Sequence, residues 1–177
     1  MKLALLVCFV PFLAIVSQHS GRKETQEPIC QGKAVPITLL GPKMSGPRVS
    51  FRSGGGIWEP LRLVIRDRAQ LNDFWRRLHT DPTHGPMSAI PPVPEIDFSR
   101  EMVVVAAMGQ RGSSAYGIII DGACEVADHL EVFVRSINGR RCTALAIMTA
   151  PVDVVRLPRT DLPVVFRETE VDCDQRP

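Results

Sequence analysis

The sequence predicts a mainly β fold with one helix, of the α+β class, arranged as an antiparallel β-sandwich or a partly open barrel. Three observations support this prediction. From residue 102 onward, short apolar runs are separated by turns rich in Gly and Pro. A single segment, at residues 67–78, has the apolar periodicity of an amphipathic helix. The composition, 45% hydrophobic and 23% charged, is that of an ordinary globular domain.

The first twenty residues have the layout of a secretory signal peptide. Lys2 supplies a positive charge, and residues 3–16 form an apolar run that is too short to span a bilayer before polar residues follow. An uncleaved anchor is the alternative. We expect residues 1–20 to be a signal peptide, a secreted or periplasmic location, and no membrane span in the mature chain.

The rest of the chain fits a single domain. Residues 21–50 are rich in Pro, Gly and charge, and we interpret them as a linker or an irregular N-terminal arm. Residues 51–173 form the β-rich domain, in which residues 61–66 alternate apolar and basic side chains and predict a half-buried strand.

The predicted helix follows that strand. Asp67 is a good N-cap with Gln70 three residues later, and the helix is predicted to end at Asp81-Pro82. Its apolar side chains recur at helical spacing and predict core packing; they are Leu71, Phe74, Trp75 and Leu78. Residues 91–94 then predict an extended polyproline segment, which is a stiff connector or a docking surface.

The second half of the chain predicts strands. Residues 102–108 are continuously apolar, which indicates burial on both faces. Asn138-Gly139 is a strong hairpin signal between alternating residues 130–137 and a returning strand at 143–148. The other predicted strands are residues 116–121, 152–157 and 164–171.

The charge and composition of the chain do not predict a basic patch of the kind that binds nucleic acid. The formal net charge is +2, and the adjacent pairs Arg76-Arg77 and Arg140-Arg141 are interpreted as solvated surface.

Signals for catalysis or metal binding are weak. Residues 112–116 approach the nucleophile motif G-x-S-x-G, but Tyr116 stands where the last glycine is needed. His79, Asp81 and His84 lie close together without the i, i+4 spacing of a helical metal site. We expect no enzyme activity, no cofactor and no metal.

Four cysteines follow the signal segment, and an even number in an exported protein predicts two disulfides with three possible pairings. If the hairpin turns are Asp128-His129 and Asn138-Gly139, Cys124 lies opposite Phe133 and Cys142 opposite Arg135. A strand then separates the two cysteines by about 9–10 Å, more than a disulfide spans. This arrangement disfavours Cys124–Cys142 and leaves the other two pairings open.

Two blocks of the sequence resemble a known family. Residues 97–105 (DFSREMVVV) run into 109–116 (GQRGSSAY), and residues 149–158 are TAPVDVVRLP. They resemble the C-terminal domain family of PrcB, a protease-complex subunit, in which a strand enters a loop of the type G-x-R-P-T-G-G-Y and a later block reads T-S-P-x-x-x-V-x-V-P. The specific match covers residues 102–158, and a weaker one extends over 51–173. Gly112 stands where the family has Pro, and Ser114-Ala115 replace Gly-Gly.

The resemblance implies a non-enzymatic accessory subunit that binds and stabilises an extracellular protease. The expected partner is another extracytoplasmic protein, with a protease as one candidate. The predicted binding loop lies between two apolar strands and comprises Gly109, Gln110, Arg111, Ser113, Ser114 and Tyr116. Arg111 and Tyr116 are the expected contact residues, although Tyr116 is also interpreted as a half-buried strand residue.

Two alternatives remain open at this point. One is a secreted hydrolase that pairs Ser113 or Ser114 with His79 or His129, since such groups are assembled in space rather than in sequence. The other is a purely structural envelope domain.

The resemblance also bears on the disulfides, because relatives carry cysteines near the positions of Cys142 and Cys173. It implies the pair Cys142–Cys173. Cys30–Cys124 would then attach the N-terminal arm to the sheet, unless Cys30 stays free.

Overall fold

The computed structural model describes residues 30–40, 55–81, 85–86 and 90–173, so the predicted signal peptide lies outside the described residues. One helix, α1, spans Arg68–Leu78. The strands are β1 Lys33–Val35, β2 Thr38–Leu39, β3 Pro60–Ile65, β4 Thr80–Asp81, β5 Gly85–Pro86, β6 Glu101–Met108, β7 Gly117–Val126, β8 His129–Asn138, β9 Val152–Pro158 and β10 Val164–Asp172.

The larger strands form two four-stranded sheets, and β4 and β5 form a separate small ribbon. Sheet A has the order β1-β7-β8-β10, and sheet B has the order β2-β9-β6-β3. Every pairing is antiparallel except that of β10 with β8, which is parallel. The prediction of a mainly β, sandwich-like α+β fold is confirmed, and the sheets do not close into a barrel.

Strand β6 is central because both of its faces are covered, as its continuous apolar sequence predicts. Met102 and Val104 point between the sheets and pack against Ile118 and Val132 of sheet A. Side chains at alternate positions, such as Val103, point the opposite way into the cluster that contains α1. The molecule therefore has three layers: sheet A, sheet B and the helix.

The helix begins where the sequence predicts. The Asp67 side chain accepts a hydrogen bond from the Gln70 amide at 2.8 Å, and the predicted apolar stripe is buried against sheet B. The helix ends at Leu78 with His79 as its C-cap, before Asp81-Pro82. The extended segment after the ribbon lies along the helix, since the Trp75 indole donates to the Pro91 carbonyl at 2.9 Å.

One side of the sandwich has a gap in its strand pairing. β1 pairs with β7 only at residues 123–125, and β2 pairs with β9 only at residues 155–156. The buried Asp153 carboxylate fills this gap: it accepts from the Ile120 amide at 2.7 Å and from the Val154 amide at 3.1 Å. A carboxylate is needed here because a buried amide without a partner costs about 1–3 kcal/mol.

The opposite side is bridged by Arg62 of β3 and Glu168 of β10, which lie on the free edges of the two sheets. Two guanidinium nitrogens of Arg62 donate to the two carboxylate oxygens at 2.8 and 3.0 Å. A third nitrogen donates to the Ala107 carbonyl at 2.8 Å. This planar, three-way contact fixes the distance between edge strands that do not pair with each other.

The hairpin between β7 and β8 differs from the prediction in two respects. Its two-residue turn is Ala127-Asp128 rather than Asp128-His129, with Ala127 at φ 39°. This turn places Cys124 opposite Glu131 and not opposite Phe133. A bulge at Asp121 then shifts the register of the pairs farther from the turn, those of residues 117–120.

The disulfides join Cys30 to Cys124 and Cys142 to Cys173, the pairing that the resemblance implies. The first attaches the segment before β1 to the outer face of β7, so the described part of the predicted arm contributes a strand to each sheet. Two disulfides indicate an oxidising, extracytoplasmic location. No helix among the described residues is long and apolar enough to cross a membrane.

Substitution of Asp153 tests the contribution of its hydrogen bonds between β7 and β9. Asp153→Asn keeps one acceptor oxygen and is expected to lower the free energy of unfolding by about 1–3 kcal/mol, and Asp153→Ala by more, because buried amides lose their partner. Urea unfolding followed by tryptophan fluorescence measures the change. The control is Asp161→Asn, since the Asp161 side chain is 92% exposed and a change there stays within about 0.5 kcal/mol. Equal stability of all three variants would contradict this role.

Candidate functional site

The predicted binding loop lies at the end of the sandwich where β6 ends and β7 begins. Its backbone is fixed from both sides. The Gln110 amide donates to the Trp58 carbonyl at 2.9 Å, and Arg111 exchanges two backbone hydrogen bonds of 2.7 Å with Thr149. Gly109 has φ 74°, and a Cβ at this position would lie 2.8 Å from the Trp58 carbonyl oxygen. The loop is therefore a rigid connection, in which glycine is required at the first position.

The loop lies against the chain that leads into β9. The Ser114 amide donates to the Leu145 carbonyl at 3.0 Å, and the Leu145 amide donates back to the Ser114 hydroxyl at 3.2 Å. The Thr149 hydroxyl donates to the Ser113 carbonyl at 3.1 Å. The two sequence blocks that carry the family resemblance are thus in direct contact.

Residues 143–148, which we call the apolar segment, are exposed at every position. Their sequence is Thr-Ala-Leu-Ala-Ile-Met. Leu145, Ile147 and Met148 are 68%, 49% and 64% exposed. The prediction of a returning strand here is wrong: the segment is irregular, and it includes a tight turn in which the Ile147 amide donates to the Leu145 carbonyl at 3.0 Å.

Gly139 explains why the hairpin signal fails. A Cβ on Gly139 would lie 2.7 Å from the Ala115 Cβ and 2.8 Å from the Tyr116 amide nitrogen. The glycine is therefore needed for a close approach of two backbones. The chain leaves sheet A after Asn138 and crosses to sheet B, so Cys142 is not in a strand opposite Arg135.

The two expected contact residues lie together. The Arg111 guanidinium lies 5.8 Å from the centre of the Tyr116 ring, a distance typical of a cation–π contact. Tyr116 is half-buried and packs against the cluster between the sheets, but it lies directly before β7 rather than within it. Gln110 is exposed, and the Ser113 hydroxyl accepts from the Ala115 amide at 3.2 Å.

Sequence reasoning missed the apolar segment and Arg140. The signal for the segment was present, because a run of five apolar residues precedes Thr149. The sequence instead predicts a strand for this run, because the run follows the hairpin signal Asn138-Gly139. Arg140 was interpreted as solvated surface, yet it lines the same depression as Arg111 and Tyr116.

The two histidines of the hydrolase alternative, His79 and His129, each contact residues outside the loop that contains Ser113 and Ser114. His129 lies at the β7–β8 turn, at the end of β7 opposite to Ser114, and nine strand steps correspond to about 30 Å. His79 is buried at the helix C-terminus, where its Nδ1 lies 2.9 Å from the Trp75 carbonyl oxygen. No group of three or more potential metal ligands occurs within the described ranges, and His84 lies outside them.

His129 belongs to an ionic cluster of its own. Its Nδ1 lies 2.8 Å from Asp128 and its Nε2 3.4 Å from Glu131, while Arg167 donates to Glu131 at 2.7 Å. The hydrogen bond with Asp128, followed by that with Glu131, raises the pKa of His129. The Arg167 hydrogen bond lowers the pKa of Glu131, and the His129 hydrogen bond lowers that of Asp128.

Comparison with known proteins adds no relative. No family model, no curated protein and no solved structure matches this chain.

A Gly139→Ala substitution tests the contact that directs the chain out of sheet A. The new Cβ meets backbone atoms that cannot move freely, so we expect a loss of about 1–3 kcal/mol in the free energy of unfolding. Gly112→Ala is the matched control, because a Cβ there meets nothing within 4 Å. Urea unfolding of both variants measures the difference. Equal stability would show that the backbone at Gly139 is not tightly packed against Ala115 and Tyr116.

The His129 cluster predicts a pH dependence. Because the folded pKa of His129 is raised above 6.5, its stabilising effect is complete below that pH and disappears as the pH rises through the folded pKa. The wild type should therefore exceed His129→Gln in melting temperature most clearly between about pH 5 and 6, and the difference should shrink by about pH 8. Thermal unfolding across this range measures it. A difference that stays constant from pH 5 to 8 would contradict the assignment.

Proposed function

We propose that this protein is an exported, non-enzymatic protein-binding module that acts as an accessory, stabilising or inhibitor-like partner of an extracytoplasmic protease. The observation that carries the proposal is the apolar segment, residues 143–148, displayed on the rigid loop at residues 109–116. A contiguous exposed apolar surface of this kind is typical of protein–protein interaction sites.

The apolar segment is fixed at both of its ends. Cys142, directly before it, is disulfide-bonded to Cys173 at the end of β10. Thr149 and Ala150, directly after it, are buried, and Thr149 is hydrogen-bonded to the loop. A segment ordered before binding loses less conformational entropy in a complex, which favours affinity.

The polar groups beside the segment support binding rather than catalysis. The hydroxyls of Ser113 and Ser114 accept hydrogen bonds from backbone amides and thereby hold the loop in shape. Arg111 and Tyr116 provide the residue types that carry much of the energy in protein interfaces. The resemblance to the PrcB C-terminal domain family favours a protease as the partner.

The double substitution Leu145→Ser/Met148→Ser tests the binding surface. It removes two exposed apolar side chains without opening a cavity, so folding should be preserved while recovery of the partner falls at least tenfold. Recovery is measured by chemical cross-linking in the native extracytoplasmic fraction followed by quantitative mass spectrometry. The matched control is Leu39→Ser/Ile90→Ser, because these side chains are 45% and 40% exposed elsewhere on the surface.

Unchanged recovery with the segment variant would refute the binding surface. The recovered partner is then assayed for cleavage of a casein substrate, with and without this protein. A partner that is lost with the segment variant but has no peptidase activity would overturn the protease assignment and leave the binding module in place.

A further inference from the structure

We propose that the surface around Arg111 and Arg140 binds an acidic segment of the partner protein, in which a Glu or Asp side chain stands beside apolar ones. This inference rests on the proposed function, since it names the chemistry that the same surface recognises. The acidic side chain would enter a depression formed by Arg111, Arg140 and Tyr116, and its apolar neighbours would contact residues 143–148.

The depression has a volume of about 490 Å³ and lies beside the rigid loop. Arg111 and Tyr116 come from that loop, while Asn138 and Arg140 come from the end of β8 and the chain that follows it. Glu170 of β10 completes the lining. The depression is therefore built from three separate parts of the fold, and its lining includes two arginines.

The charges of the depression are unbalanced. Its carboxylate, Glu170, accepts a hydrogen bond from the Asn138 side chain at 2.8 Å. Arg111 donates to the Gln110 carbonyl at 2.8 Å, and neither it nor Arg140 has an ion pair within 4.0 Å among the described residues.

Some arginines elsewhere in the described part of the chain pair with carboxylates, whereas Arg66 and Arg68 donate to backbone carbonyls. Arg62 pairs with Glu168, Arg135 with Asp121 and Arg167 with Glu131, at 2.6–2.8 Å. Arg111 and Arg140 have no such carboxylate among the described residues, so both can donate to a carboxylate from outside the chain.

The chemistry of the two arginines suits a carboxylate. A guanidinium presents its N–H groups in a planar fork that matches the two oxygens of a carboxylate. The contacts of Arg111 with the Gln110 carbonyl and the Tyr116 ring restrict its orientation before any ligand arrives. Less rotamer freedom is then lost on binding.

The apolar segment decides between a free anion and an acidic polypeptide. Arg111 is paired through its backbone with Thr149, which directly follows Met148, and Ser114 is paired with Leu145. The depression and the segment therefore share an edge. A small anion would use only the arginines, whereas a peptide with acidic and apolar side chains in sequence covers both features.

The test uses a fluorescein-labelled peptide of sequence Leu-Glu-Glu-Leu, blocked at both ends, with fluorescence anisotropy as the readout and the mature, oxidised protein as the receptor. We expect this peptide to bind at least tenfold more tightly than its Leu-Gln-Gln-Leu analogue. Arg111→Gln/Arg140→Gln should remove this preference. Arg76→Gln/Arg100→Gln is the charge-matched control, since both side chains are exposed and neither lines the depression.

Equal binding of the two peptides, or an unchanged preference in the Arg111→Gln/Arg140→Gln variant, would overturn the proposal. Full competition by inorganic phosphate combined with tight binding of a peptide that lacks leucine would identify an anion site instead and overturn the peptide assignment. The failure of the proposed function is separable, because Leu145→Ser/Met148→Ser tests partner recovery with both arginines intact.

Discussion

The Asp153 carboxylate is the contact on which the arrangement of the two sheets depends. β1 and β2 are only three and two residues long, so they leave parts of β7 and β9 without a neighbouring strand on one side. Asp153 bridges these parts by accepting from amides of both strands. The bridge also explains the position of the candidate surface, which consists of the loop at residues 109–116 and the apolar segment. The loop leads into β7, and the apolar segment leads into β9. When the starts of the two strands are held together, the segments that precede them meet as well.

The candidate surface combines rigid backbone with solvent-exposed side chains. Backbone hydrogen bonds between Arg111 and Thr149 and between Ser114 and Leu145 order the two segments, and Gly139 allows a third piece of chain to pass close behind them. The exposed side chains of the surface, such as those of Leu145 and Arg140, take little part in this framework. Under the proposed function, substitutions of Leu145 or Arg140 are expected to alter recognition with small effects on folding, whereas substitutions of Gly109 or Gly139 affect the framework itself.

The parts of the fold that could be predicted from sequence are those that local pattern determines. The N-cap of α1 and the apolar stripe that ends at Leu78 depend on residues within one helix, and the buried run of β6 is a property of eight consecutive residues. The apolar segment could not be predicted, because the tertiary contact at Gly139 overrides the hairpin preference of Asn138-Gly139. The depression was missed for a related reason. Arg111 and Arg140 are 29 positions apart, and only the topology brings them together.

Strand β10 returns to sheet A only after the chain has crossed sheet B in β9. Sheet A is therefore incomplete until β9 is in place, and β9 is tied to sheet A through Asp153. Neither sheet is an independent folding unit, so the sandwich should fold and unfold as one cooperative structure. The parallel pairing of β10 with β8 joins residues 34 positions apart, and such non-local pairing slows folding. Cys173 directly follows β10, so its native position beside Cys142 depends on the pairing of β10 with β8, and the apolar segment is anchored at its start only when that pairing is in place.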